Sequence, residues 1–140
     1  MNNELLYLRG MQFMKYLSLV LVALLIGSCF FPWVLIGPKE IMISGFRSDT
    51  PIYGKPGLFH VFLSLFYIIF LLIGKAWSTR LAFFITALNI AWALRNFVSI
   101  SACSGGECPV KQPALYVLLV SSVLLLVTTL FAYREKPVAS

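Results

Sequence analysis

The sequence predicts an all-α membrane protein, an antiparallel four-helix transmembrane bundle that forms a single domain over residues 1–140. Two features of composition favour this class: 60% of the 140 residues are hydrophobic and only 11% are charged. A soluble domain usually carries about a quarter charged residues, and a chain of this size cannot bury so much apolar surface in water. The third feature is that nearly all of the charges lie outside the long apolar segments.

Four apolar segments have the length of membrane-spanning helices. A helix that crosses the hydrocarbon core needs about 20 mainly apolar residues, with a lower limit of about 17. None of the segments alternates between polar and apolar residues as a barrel strand does. We therefore expect helices at about residues 16–36, 57–77, 80–100 and 114–133.

Glycine, proline and polar residues separate these segments. Gly37 and Pro38 follow the first segment and Pro56 precedes the second, as helix breakers should. The polar link over residues 74–80 is short, so the second and third helices are expected to be antiparallel neighbours. The two longer connections, residues 37–56 and 101–113, then lie together outside the membrane and form a small extracytoplasmic cap.

The first outer loop is predicted to hold a short β-hairpin. Two extended segments, residues 41–43 and 51–53, flank a turn rich in Gly, Ser and Asp. Their apolar side chains either cover the outer end of the bundle or dock a partner. Because both roles use the same residue types, the two interpretations stay open.

The positive charge predicts an orientation in the membrane. Of the 11 Lys and Arg residues, six fall on the side of the termini, four fall in the outer loops, and Arg95 lies near the outer edge. Because Lys and Arg are retained on the cytoplasmic side, both termini are expected in the cytoplasm of a multi-pass protein. The membrane is a bacterial inner membrane or another cell membrane. The net charge is +6, but the basic residues do not form a stripe with interleaved aromatic residues. No nucleic-acid partner is therefore expected.

Cysteine usage suggests one disulfide. Cys103 and Cys108 lie in an outer loop, and Gly105-Gly106 lets the chain reverse between them. A structural disulfide is expected in an oxidising compartment. Membrane thiol-redox chemistry at this pair is an alternative, although the Cys-x-x-Cys pair of quinone-linked thiol oxidases is absent from the sequence.

Cys29 allows a second interpretation of the first segment. Residues 26–29 resemble a bacterial lipoprotein cleavage box. However, Phe30 and Phe31 continue the apolar segment, whereas a mature lipoprotein usually opens with a polar tether. Cys29 is therefore expected to be a small apolar residue of the first helix.

Polar residues within the predicted spans form the candidate site. Asn89, Trp92 and Asn96 fall on one stripe of the third helix, and Arg95 lies beside it. Polar side chains in hydrocarbon usually face other helices, so Arg95 is expected to point into the outer half of the bundle. There it would pair with an acid or carbonyl of the outer loops, with snorkelling to the headgroups as the alternative. His60 begins the second helix on the same outer side.

The sequence predicts no catalytic residues, cofactor or metal site. Two cysteines and one distant histidine do not make the four ligands of a zinc site. The predicted spans contain no Asp or Glu, which weighs against a proton- or cation-coupled transporter. The chain is therefore expected to be non-enzymatic.

The leading functional hypothesis is an accessory or structural subunit of a larger membrane complex. Its expected partners are the lipid bilayer and other membrane subunits or a second copy. Ala23 and Gly27 support it, because small residues permit close helix contact. The alternative is a small transporter or a lipid- or anion-binding protein that uses Arg95 and His60. The third hypothesis is thiol redox at Cys103 and Cys108.

Overall fold

The computed structural model describes residues 2–37, 41–49, 51, 54–103 and 105–135, with side chains as far as Ala132. The described chain is mostly helical and carries a small three-stranded sheet. All four helices are long and apolar enough to cross a membrane. In chain order the elements are α1 (Asn2–Ser28), β1 (Pro32–Ile36), β2 (Ile41–Ser44), α2 (Pro56–Ile73), α3 (Ala76–Ser101), β3 (Val110–Lys111) and α4 (Pro113–Glu135).

The first helix differs from the predicted residues 16–36 at both ends. It begins at Asn2 and ends at Ser28, and Pro32–Ile36 is a strand instead of the last turns of a helix. Proline lacks the N–H that a helix interior needs, so Pro32 cannot continue the backbone hydrogen bonds of α1. The amides of Cys29 and Phe30 bond to carbonyls three residues back, at 3.1 Å each, and close the helix before that proline.

The other helices lie close to their predicted positions. α2 stops four residues short of the expected residue 77, because Gly74 adopts a left-handed φ of 69° and its amide caps the Phe70 carbonyl. Only Gly74 and Lys75 separate α2 from α3. α3 therefore begins earlier than the predicted residue 80, and Trp77, the predicted end of the second helix, belongs to α3.

The sheet corrects the predicted hairpin. β1 is the central strand, and it pairs antiparallel with β2 on one side and β3 on the other. The partner of β2 is thus the segment Pro32–Ile36, whereas the sequence suggested residues 51–53. Ile52 and Tyr53 lie outside the described residues. The β-branched side chains of Val34, Ile36 and Ile43 suit paired strands.

The sheet and the helices share one core. α4 packs between α1 and α3, and α2 packs mainly on α3. One buried cluster joins three helices to the sheet, and we call this end of the bundle the sheet end. A second cluster fills the middle and opposite end. The first contains Leu25, Cys29, Trp33, Val34, Ile43, Ile100, Leu115 and Leu118. The second contains Leu21, Val22, Tyr67, Ala82 and Leu125.

A backbone junction fixes the sheet to the start of α2. The Gly45 amide donates to the Cys29 carbonyl at 3.0 Å, and the Gly57 amide donates to the Gly45 carbonyl at 2.6 Å. A Cβ on Gly45 would lie 2.7 Å from the Cys29 Cβ, and a Cβ on Gly57 would lie 2.7 Å from the Gly45 backbone. Only glycine lets three chain segments approach this closely.

Candidate functional site

The predicted polar residues fall into two groups. His60 and Asn89 form a buried pair, with the His60 Nδ1 2.5 Å from the Asn89 Oδ1. Trp92, Arg95 and Asn96 instead line a cleft near the sheet end. The structure therefore does not place His60 and Arg95 in one site. Whether either group binds a ligand stays a prediction.

The His60–Asn89 pair joins α2 to α3 inside the bundle. The His60 side chain has no exposed surface, and its ring lies edge-on to Trp33 at 6.4 Å between centroids. Since the Asn89 Oδ1 only accepts hydrogen bonds, the His60 Nδ1 carries the proton in this contact. The pair thus connects two helices and the sheet.

Four buried polar atoms have no hydrogen-bond partner among the described residues. They are His60 Nε2, Ser64 Oγ, Asn96 Nδ2 and Ser101 Oγ. A buried polar atom left unpaired usually costs about 1–3 kcal/mol, so each one asks for an explanation. Ser64 lies one turn after His60 and faces the same way. Asn96 lines the cleft that also contains Trp92 and Arg95.

This cleft lies between the start of α2 and the second half of α3, and we call it the sheet-end cleft. Its two cations come from Lys55, one residue before α2, and from Arg95. Among the described residues that line it there is no Asp or Glu. The lining residues are Lys55, Pro56, Trp92, Arg95, Asn96, Ser99 and Ile100.

Arg95 differs from expectation. Its side chain is exposed, and its guanidinium lies 4.8 Å from the centre of the Trp92 ring. Within the described part of the chain it has no carboxylate partner; Glu40, one of the acids available for such a pair, is outside that part. A cation over an aromatic face is stabilised by the ring quadrupole, which is the physical reason for this placement.

Trp92 is itself held in place. Its Nε1 donates to the Pro56 carbonyl at 3.1 Å, and its ring lies 4.6 Å from the Phe59 ring. These contacts tie α3 to the first turn of α2. Trp92 therefore presents a fixed surface on which Arg95 rests.

The predicted disulfide is confirmed. Cys103 and Cys108 are joined, with their Cα atoms 4.3 Å apart and both Gly105 and Gly106 at positive φ between them. Cys29, one residue beyond α1, is a free thiol that is fully buried and donates to the Leu25 carbonyl at 3.4 Å. Burial raises the pKa of the Cys29 thiol to about 12, so it stays protonated at neutral pH.

Two further cavities among the described residues are lined mainly by apolar side chains. One, which we call the α1–α4 groove, contains Ala23, Gly27 and Ala114, and a Cβ added to Gly27 would meet no described atom within 4 Å. Gly27 therefore makes no close contact with another described element, and the contact with a partner expected from these small residues stays a prediction. The other cavity lies away from the sheet, beside the Tyr67 hydroxyl, which is 3.1 Å from the Thr129 hydroxyl.

The described residues contain no group of three or more His, Cys, Asp or Glu side chains that could hold a metal ion. No protein-family model matches the sequence, and comparisons with curated proteins and with solved structures gave no match. The candidate functions below therefore depend on the geometry of this chain alone.

Sequence reasoning missed four lining residues of the sheet-end cleft, of which Lys55 and Ser99 carry polar side chains. Lys55 directly precedes the helix-starting Pro56, so its place at a helix N-terminus was open to inference. Ser99 lies four residues after Arg95 and three after Asn96, hence on the same helix face. What the sequence did not reveal is that the start of α2 lies against this face of α3.

Proposed function

We propose that this chain is a non-enzymatic, four-span membrane protein that acts as an accessory or structural subunit. The sheet faces the extracytoplasmic side in this proposal, and a helix of a partner membrane protein occupies the α1–α4 groove. The four long apolar helices support the membrane arrangement. The observation that carries the partner proposal is the open space beside Gly27.

The composition of the groove favours a helix over disordered lipid. In hydrocarbon, helices associate through close packing at small residues and through hydrogen bonds between helices. Ala23, Gly27 and Ala114 provide the small residues. Gln112 lies at the sheet end of the same groove and offers an amide for a polar contact. A partner helix with a complementary ridge would bury both features.

Filling the groove tests this proposal. Gly27→Leu and Ala23→Leu place large side chains where the partner helix would pack, so the partner should be lost. The measurement is quantitative mass spectrometry of proteins that co-purify with the tagged chain in mild detergent. Gly10→Leu and Ala91→Leu are matched controls, because both residues are exposed and lie outside the groove.

Support for the proposal is a partner that co-purifies with wild type and with both controls but not with the groove variants. If the same proteins are retained by Gly27→Leu and Ala23→Leu, the groove is not the contact surface. If wild type brings down no membrane protein from native membranes, the accessory role is wrong.

The other two hypotheses receive less support from the geometry. An anion site that uses both Arg95 and His60 is disfavoured, because His60 is buried against Trp33 and Asn89 and does not line the cleft. Thiol redox would need a thiol beside the disulfide, and Cys29 is buried in the core cluster.

A further inference from the structure

The charges of the sheet-end cleft favour an anion. Lys55 and Arg95 both line it, and the α2 N-terminus at Pro56 forms part of its wall. The α2 N-terminus adds little to this charge, because Pro56 has no N–H and the Gly57 and Leu58 amides already donate to the Gly45 and Lys55 carbonyls. The cleft thus combines two cations, and its described lining residues include no acid.

Arg95 is arranged to bind an oxyanion. Its guanidinium carbon lies 4.8 Å from the centre of the Trp92 ring, and its N–H groups have no hydrogen-bond partner among the described residues. The planar fork of arginine matches the spacing of phosphate or carboxylate oxygens and forms two parallel hydrogen bonds with them. The Pro56 carbonyl and Phe59 hold Trp92 in place, so the guanidinium lies against a fixed aromatic surface.

Asn96 provides an independent indication that a ligand is bound here. Its side chain is only 4% exposed, it lines the cleft, and its Nδ2 has no hydrogen-bond partner among the described residues. An amide nitrogen is a donor, so only an acceptor atom satisfies it. An oxygen of an anion in the cleft would supply that acceptor and remove the cost of the unpaired group.

The depth of the cleft fits the level of lipid headgroups. α3 has 26 residues, so it is about 39 Å long and extends roughly 4–5 Å beyond each side of a hydrocarbon core about 30 Å thick. Arg95 lies six residues before Ser101, about 9 Å from the helix end, and therefore only about 5 Å below the boundary. Its side chain spans that distance by snorkelling. This placement rests on the proposed membrane arrangement but not on the α1–α4 groove.

We infer that the sheet-end cleft binds a phosphate group, with Arg95 and Lys55 as the charged contacts and Asn96 Nδ2 as a buried donor. The phosphate belongs either to an anionic lipid headgroup or to free phosphate in the outer medium. Exposed Phe59 and Val98 beside the cleft favour the lipid, since they offer apolar surface to its acyl chains.

The experiment measures ligand retention by native mass spectrometry and thermal unfolding of the full chain in neutral detergent. The ligands are phosphatidylglycerol, phosphatidylcholine and inorganic phosphate. The variants are Arg95→Gln, which removes the fork, and Ser99→Asp, which places a carboxylate at the exposed rim. Their controls are Arg80→Gln, an exposed arginine at the other end of α3, and Ser99→Asn, which is close in size but neutral.

Wild type should retain phosphatidylglycerol over phosphatidylcholine, and Arg95→Gln should bind it about tenfold less tightly, the usual effect of losing a hydrogen bond to a charged group. Ser99→Asp should lose it as well, and both controls should keep it. If inorganic phosphate raises the unfolding temperature in an Arg95-dependent way and the lipid does not, the phosphate site stands and free phosphate is its source.

The inference is overturned if Arg95→Gln and Ser99→Asp retain every ligand as wild type does, or if wild type retains none. Arg95 and Ser99 are both exposed, so neither change should prevent folding. Co-purification of a partner should be unaffected by Arg95→Gln, because the cleft lies away from the α1–α4 groove. Failure of the phosphate site and failure of the accessory role are therefore distinguishable.

Discussion

His60 and Arg95 show how two polar side chains are accommodated in apolar helices. His60 is removed from solvent entirely and bonds to Asn89 on the neighbouring helix. Arg95 keeps its charge at the surface and covers it with the face of Trp92. The difference follows from chemistry, because a neutral imidazole carries no net charge and can be buried with a single amide partner, whereas an ionised guanidinium needs an anion, an aromatic face or water.

We expect Asn89→Leu to lower the stability of the bundle. It removes the partner of the His60 Nδ1, so both ring nitrogens are left unpaired in the core, at a cost of about 1–3 kcal/mol. The measurement is thermal unfolding in detergent, with Leu88→Ala as a control at an exposed neighbouring position.

The double variant His60→Phe/Asn89→Leu distinguishes the loss of the His60–Asn89 hydrogen bond from the effect of the change in side-chain size. Replacing both partners by apolar groups removes the unpaired atoms, so it should recover part of the loss. If Asn89→Leu unfolds at the wild-type temperature, the His60–Asn89 pair contributes nothing to the stability of the bundle.

At the scale of elements, the junction of α1, β2 and α2 depends on two glycines. Gly45 and Gly57 form consecutive backbone hydrogen bonds from the Cys29 carbonyl to the start of α2. Neither position has room for a Cβ. These contacts hold the sheet against the helices and set the position of Lys55 and Pro56 at the cleft.

Gly45→Ala and Gly57→Ala should each destabilise the fold, by about 1–3 kcal/mol as overpacked substitutions usually do. Gly27→Ala is the matched control, since its added methyl meets no described atom within 4 Å and alanine favours a helix. Thermal unfolding of the three variants in one detergent makes the comparison. Equal melting temperatures would mean that the backbone contacts at Gly45 and Gly57 are not close in solution.

The end of α1 shows where sequence patterns fail at this scale. An uninterrupted apolar segment is compatible with a spanning helix or with a helix followed by a buried strand, because both bury apolar side chains on every face. Only pairing with β2 and β3 favours the strand over the helix. β2 begins five residues after β1 ends, whereas β3 comes from a distant part of the chain. The disulfide, by contrast, depends on a local reversal that the sequence displays.

At the scale of the whole molecule, the positive charges predict that the sheet end is extracytoplasmic. Arg47→Cys at the sheet end should react with a membrane-impermeant maleimide in intact cells, and Lys75→Cys between α2 and α3 should react only after permeabilisation. Both positions are exposed. The wild type is the background control, because Cys29 is buried and the other two cysteines are joined. If the reagent labels Lys75→Cys but not Arg47→Cys in intact cells, the predicted orientation is wrong and the sheet end is cytoplasmic.

The sequence by itself determined four apolar helices, their approximate positions and the disulfide, because each of these depends on local hydropathy or spacing. It also identified Asn89, Trp92, Arg95, Asn96 and His60 as unusual in their apolar surroundings. Tertiary structure alone decided which of them meet. The start of α2 packs on α3 through the Trp92–Pro56 hydrogen bond, which separates the buried His60 from the cleft and brings Lys55 to Arg95. Such contacts join residues far apart in the chain, and no local pattern specifies them.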